Sequence, residues 1–210
     1  MKFLALSDLH GEYSKVEALQ QCAGEVDAVL IAGDITNFGP AGKALEFINM
    51  FDVPVLAVPG NCDPVDILGV LDGSKAINLH KSCHTIGDVN FMGLGGSNAT
   101  PFDTPFELTD EDIEQSLERL LDECSGIRNV LISHAPPYGY SDELPVGHVG
   151  SQAIAKFVNR FALVVCGHIH EARGTTTAGN TIVVNVGEAS KGYGALIITN
   201  DDVSVELIEV

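Results

Sequence analysis

Five stretches of the chain hold an unbroken apolar run of three to five residues and then stop, within three residues, at a side chain able to hold a metal. They are Phe3-Leu-Ala-Leu6 before Asp8 and His10, Ala28-Val-Leu-Ile-Ala32 before Asp34, and Val55-Leu-Ala-Val58 before Asn61. Val130-Leu-Ile132 before His134 and Leu163-Val-Val-Cys166 before His168 and His170 complete the set. Apolar runs without polar alternation are strands covered on both faces, the usual case in a parallel sheet flanked by helices. Asp34 follows Asp8 by 26 residues and Asn61 follows Asp34 by 27, the length of one strand, helix and strand unit each time. Right-handed crossovers bring successive strand ends out on the same side, where an open α/β sheet binds its ligands. The side chains at those ends are therefore expected to share one site.

The chemistry of that site follows from its donors. Carboxylate oxygen mixed with imidazole nitrogen suits borderline divalent ions, whereas an all-oxygen set would indicate Mg²⁺ or Ca²⁺. Manganese is the first expectation, with iron, zinc, nickel and magnesium as alternatives. Asp8, His10, Asp34, Asn61, His134, His168 and His170 are too many donors for one tetrahedral ion. They suit two ions about 4 Å apart that share a bridging carboxylate and a bridging hydroxide poised for in-line attack. A single Asp or His at a strand end is more often a turn cap or a structural group; it is the set that reverses those odds. No Gly-x-Ser-x-Gly elbow or Gly-x-x-x-x-Gly-Lys-Ser/Thr loop is present, which weakens serine acyl transfer and P-loop nucleotide hydrolysis.

In order along the chain, Asp8-x-His10, Gly33-Asp34, Gly60-Asn61-x-Asp63, His134 and Gly167-His168-x-His170 resemble the five blocks of the calcineurin-like metallophosphoesterases, over residues 8–170. The small single-domain prokaryotic and archaeal members are the nearest in kind. The resemblance implies a four-layer α/β/β/α sandwich with a mostly parallel sheet and a C-terminal β-meander. It assigns Asp8, His10 and His170 to one metal, Asn61, His134 and His168 to the other, and Asp34 to both. It implies hydrolysis of a phosphate ester, with a diester preferred. A phosphomonoesterase and a catalytically weak metal-binding scaffold are the rival readings.

The chain departs from the family pattern at Cys62, where the commonest third block carries His. A thiol is a weak hydrogen-bond donor without positive charge, so the group that protonates the leaving oxygen is open. Asn61, Cys62 and Asp63 form the catalytic segment, with Asp63 orienting its neighbour, and His148 or His84 could stand in as the acid.

No composition shift, repeat or linker divides the 210 residues, so residues 1–210 are expected to form one domain. Helices are predicted over residues 13–23, 41–50, 110–124 and 151–159, with Thr109 and Ser151 capping the last two. Residues 181–186, 195–199 and 203–208 read as strands of a hairpin meander that completes a second sheet. A net charge of −18, with only 11 Lys and Arg, argues against strong nucleic-acid binding. A phosphate-ester small molecule is the expected partner, and a homodimer is left open. No apolar stretch reaches the roughly 20 residues of a membrane span. Five scattered cysteines, odd in number and without a C-x-x-C pair, predict a reduced cytoplasmic protein with no secretory leader. Residues 95–106, 135–140 and 147–148 are expected to shape the pocket, with Phe102 and Phe106 as loop anchors and Tyr138 evenly balanced between packing and substrate. Arg173 is expected in a surface salt bridge and His80 in solvent.

Overall fold

The computed structural model describes every residue except Ser125 and Asp201. The N-terminal half runs β1 (Lys2–Leu6), α1 (Val16–Ala23), β2 (Ala28–Ala32), α2 (Lys43–Ile48), β3 (Val55–Val58), α3 (Ile67–Asp72), β4 (Ile77–Asn78), β5 (Ser82–Ile86) and β6 (Val89–Leu94). A short pair, β7 (Ser97–Asn98) with β8 (Glu107–Leu108), precedes α4 (Asp110–Cys124) and β9 (Arg128–Ser133). A small hairpin, β10 (Glu143–Leu144) with β11 (Gly147–His148), leads to α5 (Gln152–Phe157) and β12 (Leu163–Cys166). The chain closes with β13 (Gly174–Ala178), β14 (Thr181–Asn185), β15 (Tyr193–Thr199) and β16 (Val203–Glu209).

These strands form two six-stranded sheets, ordered β16-β15-β1-β2-β3-β4 and β13-β14-β12-β9-β6-β5. Strands β1 to β4 are mutually parallel, as are β14, β12, β9 and β6, and antiparallel strands close every edge but that of β4. The strands of the first sheet send alternate residues to opposite faces. Leu4, Leu6, Val29, Ile31, Val55 and Ala57 pack on Leu19, Phe47 and Leu71 of helices α1 to α3. Their neighbours Phe3, Ala5, Leu30, Leu56 and Val58 pack on Phe91, Val130, Ile132, Leu163 and Val165 of the second sheet. The outer face of that sheet, through Met92, Leu131, Val164 and Val183, packs on Leu117 and Leu120 of α4 and Ile154 of α5. The layers are thus helix, sheet, sheet and helix, with two apolar faces on every central strand. No described helix is long and apolar enough to cross a membrane.

Local signals place the outer helices. The Thr109 hydroxyl accepts from the Asp112 N–H at 3.1 Å and donates to the Asp112 carboxylate at 2.8 Å, capping the start of α4. Ser151 Oγ accepts from the Ile154 N–H at 3.1 Å and starts α5.

Three expectations need correction. The C-terminal strands do not form one meander in a second sheet: β14 joins the second sheet beside β12, whereas β15 and β16 return to the first sheet beside β1. The five donor-bearing strands likewise come from both sheets. The cysteines are not all free, since Cys83 on β5 and Cys124 at the end of α4 form a disulfide; Cys22, Cys62 and Cys166 remain thiols. These two residues lie 41 apart in sequence, and only the packing of α4 on the second sheet brings them together.

Candidate metal centre

The C-terminal ends of β1, β2 and β3 in one sheet meet those of β9 and β12 in the other, and the chain is bent hard where it leaves them. Asp8, His10, Asp34 and His168 all adopt left-handed backbone, with φ of 53°, 49°, 50° and 68°. Non-glycine residues avoid this region, and such strain clusters at functional sites. The glycines of the motifs are required by crowding. A Cβ on Gly60 would overlap the Asp34 carboxylate, and one on Gly167 would overlap Ser7 Oγ and the Asp8 carboxylate.

Two groups of donors result. In the first, His170 Nε2 lies 3.3 Å from Asp8 Oδ1 and 3.4 Å from His10 Nε2. Glu188 Oε1 takes the other ring nitrogen, His170 Nδ1, at 3.3 Å, which leaves Nε2 facing its neighbours. In the second, His134 Nε2 lies 3.5 Å from Asp34 Oδ1 and 2.8 Å from Asn61 Oδ1. Asp34 turns its other oxygen toward the first group, with Oδ2 3.8 Å from His10 Nδ1. Adjacent ligands on an ion with bonds of about 2.1 Å stand roughly 3–3.4 Å apart, so the residues present fit divalent cations. The Asp8–His10–His170 and Asp8–Asp34–His134 sets each bring three donor atoms within 4.8 Å of one another.

The hydrogen bonds behind Asn61 decide which atoms face inward. Glu107 can only accept, so the Thr104 hydroxyl donates to its Oε1 at 2.5 Å. Thr104 Oγ1 then accepts from Asn61 Nδ2 at 3.0 Å, which turns Asn61 Oδ1 toward His134. His134 Nδ1 donates to the Ala32 carbonyl at 2.8 Å, so in the neutral ring Nε2 presents a lone pair. Two acceptors then face each other at 2.8 Å. Two ligands of one cation approach each other in this way.

Burial is complete at Asp8 and His134 and partial at His10, His168 and His170. It raises the Asp8 pKa, but the His170 hydrogen bond and the neighbouring imidazoles outweigh it and hold the carboxyl at about 2. Burial pushes the His168 ring down to about 3, helped by His134, so it stays neutral and able to donate its lone pair. At His170 burial is outweighed by the Asp8 and Glu188 carboxylates, and the pKa rises.

The sequence profile of the calcineurin-like phosphoesterases matches residues 1–172. The chain belongs to this family. As a calcineurin-like phosphoesterase it is a metal-dependent phosphoester hydrolase that uses divalent ions. An uncharacterized protein of Methanocaldococcus jannaschii is 38% identical over 196 residues, covering 88% of this chain and 87% of the relative. The crystal structure of TT1561 of Thermus thermophilus superposes with a TM-score of 0.75 at 18% identity, covering 99% of this chain and 98% of that one. A structure described as a novel archaeal phosphodiesterase superposes with a TM-score of 0.61 at 14% identity, and each chain is wholly covered.

The other residues singled out from this phosphoesterase's sequence fall in different places. His168 belongs to none of the three-donor sets; its ring stands edge-on to His134 with centroids 4.9 Å apart. Cys62 does border the donors, since its sulfur groups with His10 and Asp34. Burial and the Asp34 charge push its thiol pKa up. Asp63 faces away, and its oxygens accept from the N–H groups of Ile35, Thr36 and Gly60 and from the Thr36 hydroxyl at 2.7–3.1 Å. It braces the turns that carry Asp34 and Asn61. His148 bonds Asp142 Oδ1 at 2.7 Å on the β10–β11 hairpin and lines a cleft with Arg173 and Thr176. Tyr138 is exposed and meets the His148 ring, and His84 is exposed on the edge strand β5.

Three side chains differ from expectation. His80 is turned inward, accepting from the Gly95 N–H at 3.0 Å with its ring against Phe106, and burial lowers its pKa to about 4. Arg173 makes no salt bridge among the described residues: its guanidinium covers the Tyr193 ring at 4.3 Å and donates to the Ile208 carbonyl. Phe106 is the expected anchor, but Phe102 is 80% exposed.

Glu107, Glu188 and Asn185 are structurally central and were missed from the sequence. Asn185, fully buried, donates to the Gly167 and Ile169 carbonyls on either side of His168. It ends the apolar run Ile182-Val-Val184, and that strand-end pattern is the signal that could have found it.

Proposed function

We propose that this chain, acting as a single domain over residues 1–210, is a phosphodiesterase with a dinuclear centre. Asp8, His10, Asp34, Asn61, His134, His168 and His170 would hold two divalent ions, manganese foremost. The observation that carries the two-ion reading is Asp34, one of whose oxygens looks to His10 and the other to His134. When bound, two such ions supply a water of lowered pKa as nucleophile and neutralise charge on the phosphoryl oxygens.

The chain's own groups prepare for that chemistry. The Ala32 carbonyl fixes the His134 tautomer, Glu188 orients His170, and Thr104 holds the Asn61 carbonyl inward. Cys62 offers a neutral, weakly donating S–H beside Asp34 and His10. Departure of the leaving oxygen with little proton assistance favours acidic leaving groups.

The preference for a diester rests on charge. Two bound divalent ions would offset the Asp8 and Asp34 carboxylates and attract either ester, so discrimination falls to the groups around them: the further negative charge of a monoester dianion needs an additional free cation, in a chain of net charge −18. The nearby Lys191 is paired with Glu188, and Arg173 is engaged with Tyr193 and Ile208. The shared fold with an archaeal phosphodiesterase agrees with this reading. The test compares bis(p-nitrophenyl) phosphate with p-nitrophenyl phosphate on the manganese-loaded protein. A kcat/KM higher for the diester supports the proposal, and a faster monoester overturns the diester preference.

A further inference from the structure

A cleft of about 620 Å³ opens beside the donor groups, within the range of sites that enclose small molecules. His168 stands on its wall, so the cleft is continuous with the candidate metal centre. One jaw is the loop carrying Ala99, Pro101 and Phe102; the other is the β10–β11 hairpin and its exit, with Leu144, Val146 and Val149. Phe102 is 80% exposed and Val146 is 86% exposed. Large apolar side chains bared on both jaws of one cleft mark a binding surface, here in a protein of net charge −18.

Both jaws are held from behind. Glu107 accepts from the Thr100 N–H at 3.1 Å and its hydroxyl at 2.6 Å, which fixes the loop. Asp142, fully buried, accepts from the N–H groups of Gly139 and Gly150 at 3.1 Å and 2.8 Å and pairs with His148, which fixes the hairpin. Apolar side chains on braced backbone bind at low ordering cost. None of the described residues lining the cleft is Lys or Arg, and Glu171 lies on its rim. A second phosphate or a carboxylate would find no counter-charge there.

We propose that this cleft takes an uncharged apolar substituent, alkyl or aryl, of a singly charged phosphodiester whose phosphate lies at the donor groups. It thereby selects such esters over sugar phosphates and nucleoside polyphosphates. The inference rests on the phosphodiesterase reading and names the substrate class for the same site.

The test reads binding rather than turnover. Dimethyl and dibutyl phosphate are titrated calorimetrically into the manganese-loaded protein, the wild type beside Val146→Asp and Phe102→Ala. Both positions are exposed, so neither change removes core packing. Each methylene that leaves water strengthens binding about fourfold, and we expect dibutyl phosphate to bind at least roughly tenfold more tightly. That ratio should collapse toward unity in Val146→Asp and fall in Phe102→Ala. Equal or undetectable binding of both esters by the wild type, or a ratio that survives both substitutions, overturns the proposal. Selective binding without hydrolysis of any diester upholds the apolar cleft and overturns the phosphodiesterase reading alone; hydrolysis without selectivity does the reverse.

Discussion

Four candidate donors stand on left-handed backbone, a conformation that costs a non-glycine residue about 1–2 kcal/mol. Neighbouring bonds hold it: the Asp8 N–H donates to the Gly33 carbonyl at 3.1 Å, the His10 N–H to the Asp34 carbonyl at 2.9 Å, and the His168 N–H to the Asp8 carboxylate. Glu107 shows how far from the donors this support extends. Burial raises its pKa, but hydrogen bonds from Thr100 and Thr104 outweigh burial and bring it from an ordinary 4.5 down to about 2. A carboxyl depressed in the folded state stabilises the fold above its unfolded pKa, and that contribution is lost as pH falls through the folded value. The melting-temperature advantage of wild type over Glu107→Gln should be constant near neutral pH and shrink between about 4.5 and 2. A gap that does not narrow in acid would contradict this assignment. Through Thr104 and Asn61 the same substitution should also lower ester turnover on the order of tenfold, as for other groups that orient ligands. The convergence of these candidate donors was legible in the sequence because each follows an apolar run. Glu107 and Glu188 were not, since they act across loops whose approach no local pattern records.

At the scale of elements, the strongly periodic or continuously apolar segments were readable. The runs before Asp8, Asp34, Asn61, His134 and His168 are strands, and residues 110–124 are a helix with its Thr109 cap. Short or polar elements were not. Helix α3 is only six residues and contains Gly69, while β5, Ser-Cys-His-Thr-Ile, has no apolar face. Sheet membership of the C-terminal strands was misread because pairing partners are set by long-range register, and β15 finds β1 from the far end of the chain. The disulfide between β5 and α4 belongs to the same class of long-range fact. It predicts three titratable thiols in denatured, unreduced protein and five after reduction. Reduction should lower unfolding stability by about 2–4 kcal/mol, the usual effect of opening a loop of this length. Five thiols before reduction would contradict the bridge.

For the whole molecule, the decisive arrangement is two sheets packed face to face through one shared core, with Phe3 of one against Phe91 of the other at 5.1 Å. That packing aligns the C-terminal edges of both sheets and lets donors from β1, β2, β3, β9 and β12 converge. A single sheet would have served the βαβ spacing equally well; the family resemblance implied two sheets in the fold but not that both carry donors. The account requires that converging donors, and not any one side chain, produce activity through bound metal. The most direct measurement follows hydrolysis of bis(p-nitrophenyl) phosphate by metal-stripped protein before and after Mn²⁺ is restored, with Asp34→Asn beside it. Turnover should appear only with the ion and fall on the order of a hundredfold or more in the variant, in which an amide nitrogen replaces one of the two carboxylate oxygens that would hold the ions. Turnover without metal, undiminished turnover in Asp34→Asn, or none after resupply with manganese, iron, zinc, nickel or magnesium would contradict the account.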